Sequence, residues 1–320
     1  NLNTTAVNAS GDILLKGSGD IILAASKSIT TSGGDVIFWA NSDDQATNGS
    51  IALRNGSSVV TGSGSVPGGN VWIGGGSDGG TWNGLGVGSG YAVPGTTFTP
   101  SNGGANVSSG IYLEGSTINS FGGHVKLAGD ASTSNFGLLT YATNAIDAKS
   151  GKIELEGIAS DVAAINATGI LFGIHDVSIA STMNLTSSAS DVAITISGVG
   201  RGTGDAVGLS GTLNALSTGT GELSINGNAY GSGRSIVAGN YYHGILNAFA
   251  NSGKITLNGG TKAVSVATAI SNGATTGPSK INIGQGGTIT NSSSDVFITA
   301  DNIALAASGI AVNSTGKVTV

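Results

Sequence analysis

The stretch GIYLEGSTINSFGG at residues 110–123 runs directly into His124-Val125-Lys126-Leu127, and this combination decides the fold. It contains three short alternating segments separated by turns of small residues. Its last segment, a polar residue followed by V/I-x-I/L/V, returns along the whole chain. A short strand that recurs this often, with nothing helical between its copies, is typical of a solenoid. The other copies begin at Asp35, Asn70, Lys152, Asp191, Glu222, Lys254, Lys280, Asp295 and Lys317.

Longer units of the same kind contain the short strand. The segments 137–151, 208–221 and 244–253 each run into a copy of it, so each unit offers about three strands. A parallel β-helix fits better than a flat sheet, because each strand can pair with its equivalent one turn further on, about 4.8 Å away. At about 25 residues per coil we expect about 12 coils and a rod of roughly 60 Å.

The residues of the signature strand alternate between two predicted environments. The aliphatic positions point inward and stack from coil to coil, whereas the intervening positions, such as Trp72, Lys126 and Glu154, are expected on a solvent face. Gly and Asn at the turns permit the positive φ angles of tight corners. No segment has an apolar period of 3.6 residues free of Gly and β-branched residues, so the prediction is all-β.

Composition favours a folded chain with an unusual surface. Of 320 residues, 56 are Gly and 39% are hydrophobic, whereas only 9% are charged. Disordered chains are usually highly charged and poor in aliphatic residues. The low charge also argues against an ordinary globular enzyme, in which about 25% of residues are charged. With a net charge of -6 and 12 Lys plus Arg in no cluster, a nucleic-acid partner is not expected.

The chain contains no Cys, which excludes disulfides and thiolate metal sites and fits a protein that is exported unfolded. No uninterrupted apolar stretch of about 18 residues exists, so we expect no membrane insertion of this segment. The chain opens at Asn1 without a signal segment, and its last four residues, 317–320, form a strand signature that simply stops. We therefore interpret residues 1–320 as a single β-helix segment of a longer chain.

One irregular excursion interrupts the period at residues 74–109. It contains GGGSDGG, followed by Trp82, Tyr91 and Phe98 and two of the 4 prolines. We expect it to lie on the shaft as a loop.

Several segments resemble the shaft of filamentous-haemagglutinin-like adhesins of the two-partner secretion type. They are residues 19–43, GSIAL at 49–53 and GGNVWIGGG at 68–76. The resemblance lies in the pattern of the repeats and covers nearly the whole chain. It implies a right-handed parallel β-helix, export across an outer membrane, and a role in adhesion, biofilm formation or filament building. The secretion domain of that family carries Asn-Pro motifs. This chain has none, which assigns it to the shaft or repeat region.

Candidate catalytic and metal groups have simpler explanations. The Asp residues at strand starts, among them Asp12, Asp20, Asp35, Asp176, Asp191 and Asp295, are expected to cap backbone amides of turns. Glu154 and Glu156 lie on one face of a strand, and the sequence gives them no aromatic or basic neighbours, so an exposed pair is favoured over glycosidase carboxylates. His124, His175 and His243 lack metal-ligand spacing. We predict no catalytic residues, no cofactor and no metal.

The aromatic residues are the candidates for a contact surface. Exposed rings can stack on sugars or fill a pocket of another subunit, and they can equally pack a loop onto the shaft. The residues are Trp82, Tyr91, Phe98, Tyr241 and Tyr242.

The preferred hypothesis is a secreted or cell-surface structural and adhesive β-solenoid, not an enzyme. Its partners would be neighbouring copies or further repeats joined through terminal strand edges, with surface glycans as a further candidate. We expect it outside the cell or on a bacterial outer-membrane surface. The alternatives are a polysaccharide-binding module that uses the excursion and, less favoured, a β-helical carbohydrate-active enzyme.

Overall fold

The computed structural model describes residues 6–45, 48–132, 135–160, 167–173, 181–239, 244–260, 262–266, 279–284, 294–300, 302–305, 310–312 and 314–320. These residues form strands and turns, and none of them is helical. The predicted all-β class is therefore confirmed for the described part of the chain.

The strands are short and are numbered in chain order. The first ten are β1 (Ala6–Ala9), β2 (Ile13–Lys16), β3 (Ile21–Leu23), β4 (Ser28–Thr31), β5 (Val36–Trp39), β6 (Ile51–Leu53), β7 (Ser58–Val60), β8 (Val71–Gly74), β9 (Gly80–Trp82) and β10 (Leu85–Val87). The next ten are β11 (Ser109–Glu114), β12 (Thr117–Asn119), β13 (Val125–Asp130), β14 (Phe136–Tyr141), β15 (Thr143–Lys149), β16 (Ile153–Ile158), β17 (Thr168–Phe172), β18 (Thr182–Ser187), β19 (Val192–Gly200) and β20 (Asp205–Leu209). The remainder are β21 (Thr212–Ser217), β22 (Glu222–Ala229), β23 (Ile236–Ala238), β24 (Ile245–Ala250), β25 (Ile255–Asn258), β26 (Ala263–Val266), β27 (Lys280–Ile283), β28 (Val296–Thr299), β29 (Asn302–Leu305), β30 (Ile310–Val312) and β31 (Val318–Thr319).

The described strands form three long parallel sheets and one small hairpin. The first sheet has the order β1-β4-β7-β12-β15-β18-β21-β24-β27-β30. The second sheet is β2-β5-β8-β13-β16-β19-β22-β25-β28-β31, and the third is β3-β6-β11-β14-β17-β20-β23-β26-β29. The chain thus visits the three sheets in turn, and one such passage is called a coil below. This is the stacked parallel architecture expected of a solenoid, with β9 and β10 as an antiparallel exception.

Aliphatic side chains fill the space between the sheets in columns. Equivalent residues of successive coils stand in register, and in the second sheet the eight members of one such column from β5 to β28 are fully buried. Each buried side chain of this kind stabilises the fold by about 1.5–3 kcal/mol. That column consists of Val36, Val71, Val125, Ile153, Ile194, Leu223, Ile255 and Val296.

A column of glycines brings successive coils together at the corner before the second sheet. A Cβ added at Gly69, Gly123 or Gly151 would overlap the carbonyl group of the glycine one coil earlier. Buried hydroxyl groups satisfy carbonyl oxygens of this column, as where Thr61 Oγ1 donates to Gly69 O at 2.6 Å. Because the neighbouring atoms are backbone, they cannot rotate away. This close approach explains why the signature strand so often follows a glycine.

We predict that Gly123→Ala lowers the free energy of unfolding by about 3 kcal/mol, because the new methyl group overpacks the corner. The measurement is denaturant unfolding followed by circular dichroism.

Gly86→Ala is the matched control, since an added Cβ there meets no atom within 4 Å. Its stability is expected to change by less than about 0.5 kcal/mol. Equal midpoints for the two variants would contradict the role assigned to the glycine column.

Candidate functional site: an aromatic and acidic patch on the second sheet

The chain between β8 and β11 leaves the regular coil and first covers the outer face of the second sheet. Three apolar side chains of this face point outward and lie close together: Ile37, Trp39 and Trp72. Val87 of the hairpin packs against them in one cluster, with the partly buried Trp82 and Leu85 beside it. Trp72 is only 2% exposed, so the expectation that it lies on a solvent face is wrong. The reason is that the hairpin removes this apolar surface from water.

The same segment then covers part of the outer face of the third sheet. The ring of Phe98 stacks on Tyr112, with ring centroids 5.2 Å apart and an interplanar angle of 8°. The fully buried Glu114 accepts a hydrogen bond from Arg54 Nε at 2.7 Å and another from the Ser101 amide at 2.5 Å. Arg54 Nη2 also donates to Thr99 O at 2.6 Å. The hydrogen bonds that this ion pair makes to Thr99 and Ser101 therefore tie the excursion to the shaft.

The five aromatic candidates fall into three groups: one residue is buried, two are partly exposed and two lie outside the described residues. Phe98 is 2% exposed inside the cluster just described, so it packs the loop onto the shaft and offers no contact surface. Trp82 and Tyr91 are both partly exposed. Tyr241 and Tyr242 lie outside the described residues, as do His175, His243 and Asp176.

Trp82 and Tyr91 meet the two glutamates of β16. Trp82 Nε1 lies 3.2 Å from Glu154 Oε2, and the Tyr91 hydroxyl donates across 3.4 Å to Glu156 Oε2. Lys126 Nζ lies 2.6 Å from Glu156 Oε1 and 3.7 Å from Glu154 Oε2. The expectation that the glutamates have no aromatic or basic neighbours is therefore wrong. The excursion supplies the rings from more than 60 residues away, as the separations of 72 and 65 residues show.

We call Trp82, Tyr91, Lys126, Glu154 and Glu156 the aromatic–acidic patch. Burial raises the pKa of Tyr91, and the negative charge of Glu156 and its hydrogen bond raise it further. The phenol therefore stays protonated and serves as a donor. The patch combines partly exposed aromatic residues with carboxylate oxygens and an ammonium group, which together can stack on a sugar ring and bind its hydroxyl groups.

Lys126 is the member of the patch to which the sequence interpretation gave no role. The sequence did contain a signal for its place in the patch, because Lys126 and Glu154 occupy the same outward slot of two successive signature strands. The structure pairs them directly across β13 and β16. Opposite charges at directly opposed positions of neighbouring strands stabilise each other.

Comparisons with protein-family models, with curated proteins and with solved structures give no match for this chain. The described residues hold no group of three or more His, Asp or Glu side chains that could bind a metal ion. They also include no helix long and apolar enough to cross a membrane.

A ladder of polar side chains lies beside the patch, formed by the residues that come directly before successive strands of the second sheet. Asp12 Oδ1 accepts the Asp35 amide at 2.9 Å, and Asp35 Oδ1 accepts the Asn70 amide at 2.6 Å. Asn70 Oδ1 accepts the His124 amide at 2.9 Å, and His124 Nδ1 accepts the Lys152 amide at 2.8 Å. Each side chain therefore caps a backbone amide, as predicted for the Asp residues, but the amide belongs to the next coil.

His124 makes this ladder sensitive to pH. Burial lowers its pKa below the usual 6.5, and the nearby Lys152 ammonium lowers it further. Nδ1 must be unprotonated to accept the Lys152 amide. Because the folded state has the lower pKa, the unfolded chain binds more protons, and the contribution to stability is complete above about pH 6.5 and is lost as the pH falls through the folded pKa.

We predict that His124→Asn removes this pH dependence, because Asn70 makes the equivalent contact one coil earlier through Oδ1. The measurement is the unfolding midpoint of both proteins between pH 7 and pH 5. The wild type should lose stability relative to the variant as the pH falls. Parallel curves would show that His124 does not titrate in this contact.

Proposed function

We propose that this chain is a structural and adhesive segment of a secreted or cell-surface β-solenoid. In this proposal the sheets wind as a right-handed parallel β-helix, whose length serves adhesion, biofilm formation or filament building. The resemblance to filamentous-haemagglutinin-like shafts supports the proposal. So does the low charge, because the surface is solvated by Asn, Ser, Thr and Gly.

The observation that carries the proposal is the register of the three sheets. In the described strands, each coil pairs with its neighbours in a parallel ladder, as from Ile51 to Ile111 and on to Leu138 in the third sheet. Stability of such a stack adds coil by coil, so length requires little new sequence information. The partners we expect are further repeats or neighbouring copies that extend the ladders at terminal strand edges.

The shape of the purified chain tests this proposal. We expect small-angle X-ray scattering to give a particle elongated along one axis, with an axial length of roughly 45 Å, because the first and second sheets each contain ten described strands. Negative-stain microscopy of more concentrated protein should show longer rods made by end-to-end addition. An isotropic particle that stays the same size at every concentration would contradict the proposal.

A second candidate function, polysaccharide binding, is favoured by the aromatic–acidic patch. Trp82 and Tyr91 are partly exposed, and hydrogen-bonding groups lie beside both. Aromatic faces bind the apolar side of a sugar ring, and carboxylates accept hydrogen bonds from its hydroxyl groups. On a rod, such a patch would give adhesion a specific contact.

We predict that Tyr91→Ala and Trp82→Ala each reduce retention on immobilised polysaccharides at least about tenfold, the effect of losing about 1.4 kcal/mol of binding energy. The measurement is affinity electrophoresis against a panel of neutral and acidic polysaccharides.

Tyr230→Ala is the matched control, because Tyr230 is 58% exposed and does not belong to the patch. Circular dichroism verifies that each variant is folded. If the patch variants and Tyr230→Ala are retained alike, or if the wild type binds none of the polysaccharides, the glycan hypothesis is wrong.

A further inference from the structure

Four asparagines form a side-chain ladder on the outer face of the first sheet. Asn184, Asn214, Asn247 and Asn282 occupy the same slot of β18, β21, β24 and β27. The Nδ2 groups of Asn214, Asn247 and Asn282 each donate to the Oδ1 of the asparagine one coil earlier, at 2.8 Å, 2.7 Å and 2.8 Å. Asn184 Nδ2 donates instead to the backbone oxygen of Asn144, at 3.4 Å. All four side chains are partly exposed. The row therefore presents amide groups to solvent at the strand spacing of about 4.8 Å.

Three of the four strands that carry the ladder are uncharged. The fourth, β27, begins with Lys280, which is in register with Ile245, and Asp147 of the preceding strand β15 is in register with Thr186. The strands β18, β21 and β24 contain no ionisable residue. Thr182, Thr212 and Ile245 stand in register on one side of the ladder, and the slot on its other side includes Thr186 and Leu216. We call the outward residues of these three strands the asparagine strip. On a chain with a net charge of -6, it is a surface that another negatively charged molecule can approach without repulsion.

Each amide retains hydrogen-bonding capacity that the ladder does not use. An asparagine carries two N–H groups and two carbonyl lone pairs, and the ladder takes one of each from the central members. The strip thus offers donors and acceptors alternately, in a row that the ladder holds rigid. Such a row is self-complementary, because every group that donates stands beside one that accepts.

The period of the strip decides which partner fits it. A ligand whose repeat distance differs from the strand spacing loses its alignment with the strip after a few coils. A second copy of this chain has the same strand spacing and stays aligned. Two strips can therefore match along their whole length. An isologous pair with the same surface on both partners is the commonest symmetry of protein dimers.

We propose that two copies of this chain associate side by side through the asparagine strip. The contact is lateral, so it differs from end-to-end addition at strand edges and gives a way to bundle rods. The Asn and Thr side chains supply the hydrogen bonds, and Leu216 and Ile245 supply apolar contacts between them.

The absence of Cys from the chain permits a direct test by crosslinking. We expect Asn214→Cys to form a disulfide-linked dimer under mild oxidation at micromolar concentration. Ser224→Cys is the matched control, because Ser224 lies on the outer face of the second sheet in the same coil and is also partly exposed. Equal yields of dimer from both variants would reveal random collisions and overturn the proposal.

Mixed crosslinking gives the direction of the pair. If the rods are antiparallel about Asn214, a mixture of Asn184→Cys and Asn247→Cys crosslinks to give a heterodimer. If the rods are parallel and in register, each of these variants crosslinks only with itself. Failure of all three strip cysteines to crosslink faster than the control would contradict either arrangement.

Sedimentation equilibrium tests the same surface without crosslinks. We expect the wild type to dimerise reversibly and Asn214→Lys to raise the dissociation constant at least about tenfold, because like charges then face each other. Thr212→Lys makes the same test beside the ladder if Asn214→Lys lowers the unfolding midpoint. Ser224→Lys should leave dimerisation unchanged. A wild type that stays monomeric at every concentration, or equal effects of all three variants, would overturn the proposal.

Discussion

The distance between successive coils is the constraint on which the rest of this structure depends. Parallel ladders hold equivalent strands at about 4.8 Å along the whole stack. At that distance a Cβ does not fit at Gly123 in the corner before the second sheet, because it would overlap the backbone of the preceding coil. The same distance lets a side chain such as Asn70 cap the amide of His124 one coil later. Corner, cap and core column are therefore consequences of one spacing.

The same spacing turns single residues into continuous surfaces. A residue at an outward slot has its neighbours one coil away on both sides. Its interactions therefore depend on the residues of adjacent coils and not on the residues next to it in the sequence. Lys126 and Glu154 become an ion pair by this route, and Asn214 and Asn247 become members of a ladder. The outer faces of the sheets thus differ in kind, because the second sheet carries an aromatic and acidic patch and the first an uncharged amide row.

The excursion between β8 and β11 is the main departure from this regularity, and an apolar outer face explains it. Trp39 and Trp72 point away from the core and pack edge to face, with ring centroids 6.4 Å apart. Left in water, this surface would invite nonspecific association. The hairpin covers it, and in doing so it brings Trp82 within reach of β16. The candidate binding site therefore forms because the hairpin that covers these tryptophans also positions Trp82.

The sequence by itself determined the strand, the turn and the inward slot. Recurrent aliphatic alternation, glycine before a polar residue and the lack of a helical period are local features, and they were enough to predict stacked parallel strands. The contact between Tyr91 and Glu156, the burial of Phe98 and the asparagine ladder were decided only by the tertiary structure. The asparagine ladder depends on the register between residues 30 or more positions apart, as for Asn214 and Asn247 at 33. The contact of Tyr91 and the burial of Phe98 depend on the path of an irregular loop. Variable turn lengths hide that register in the sequence, because coils align by pairing of strands and not by counting of residues.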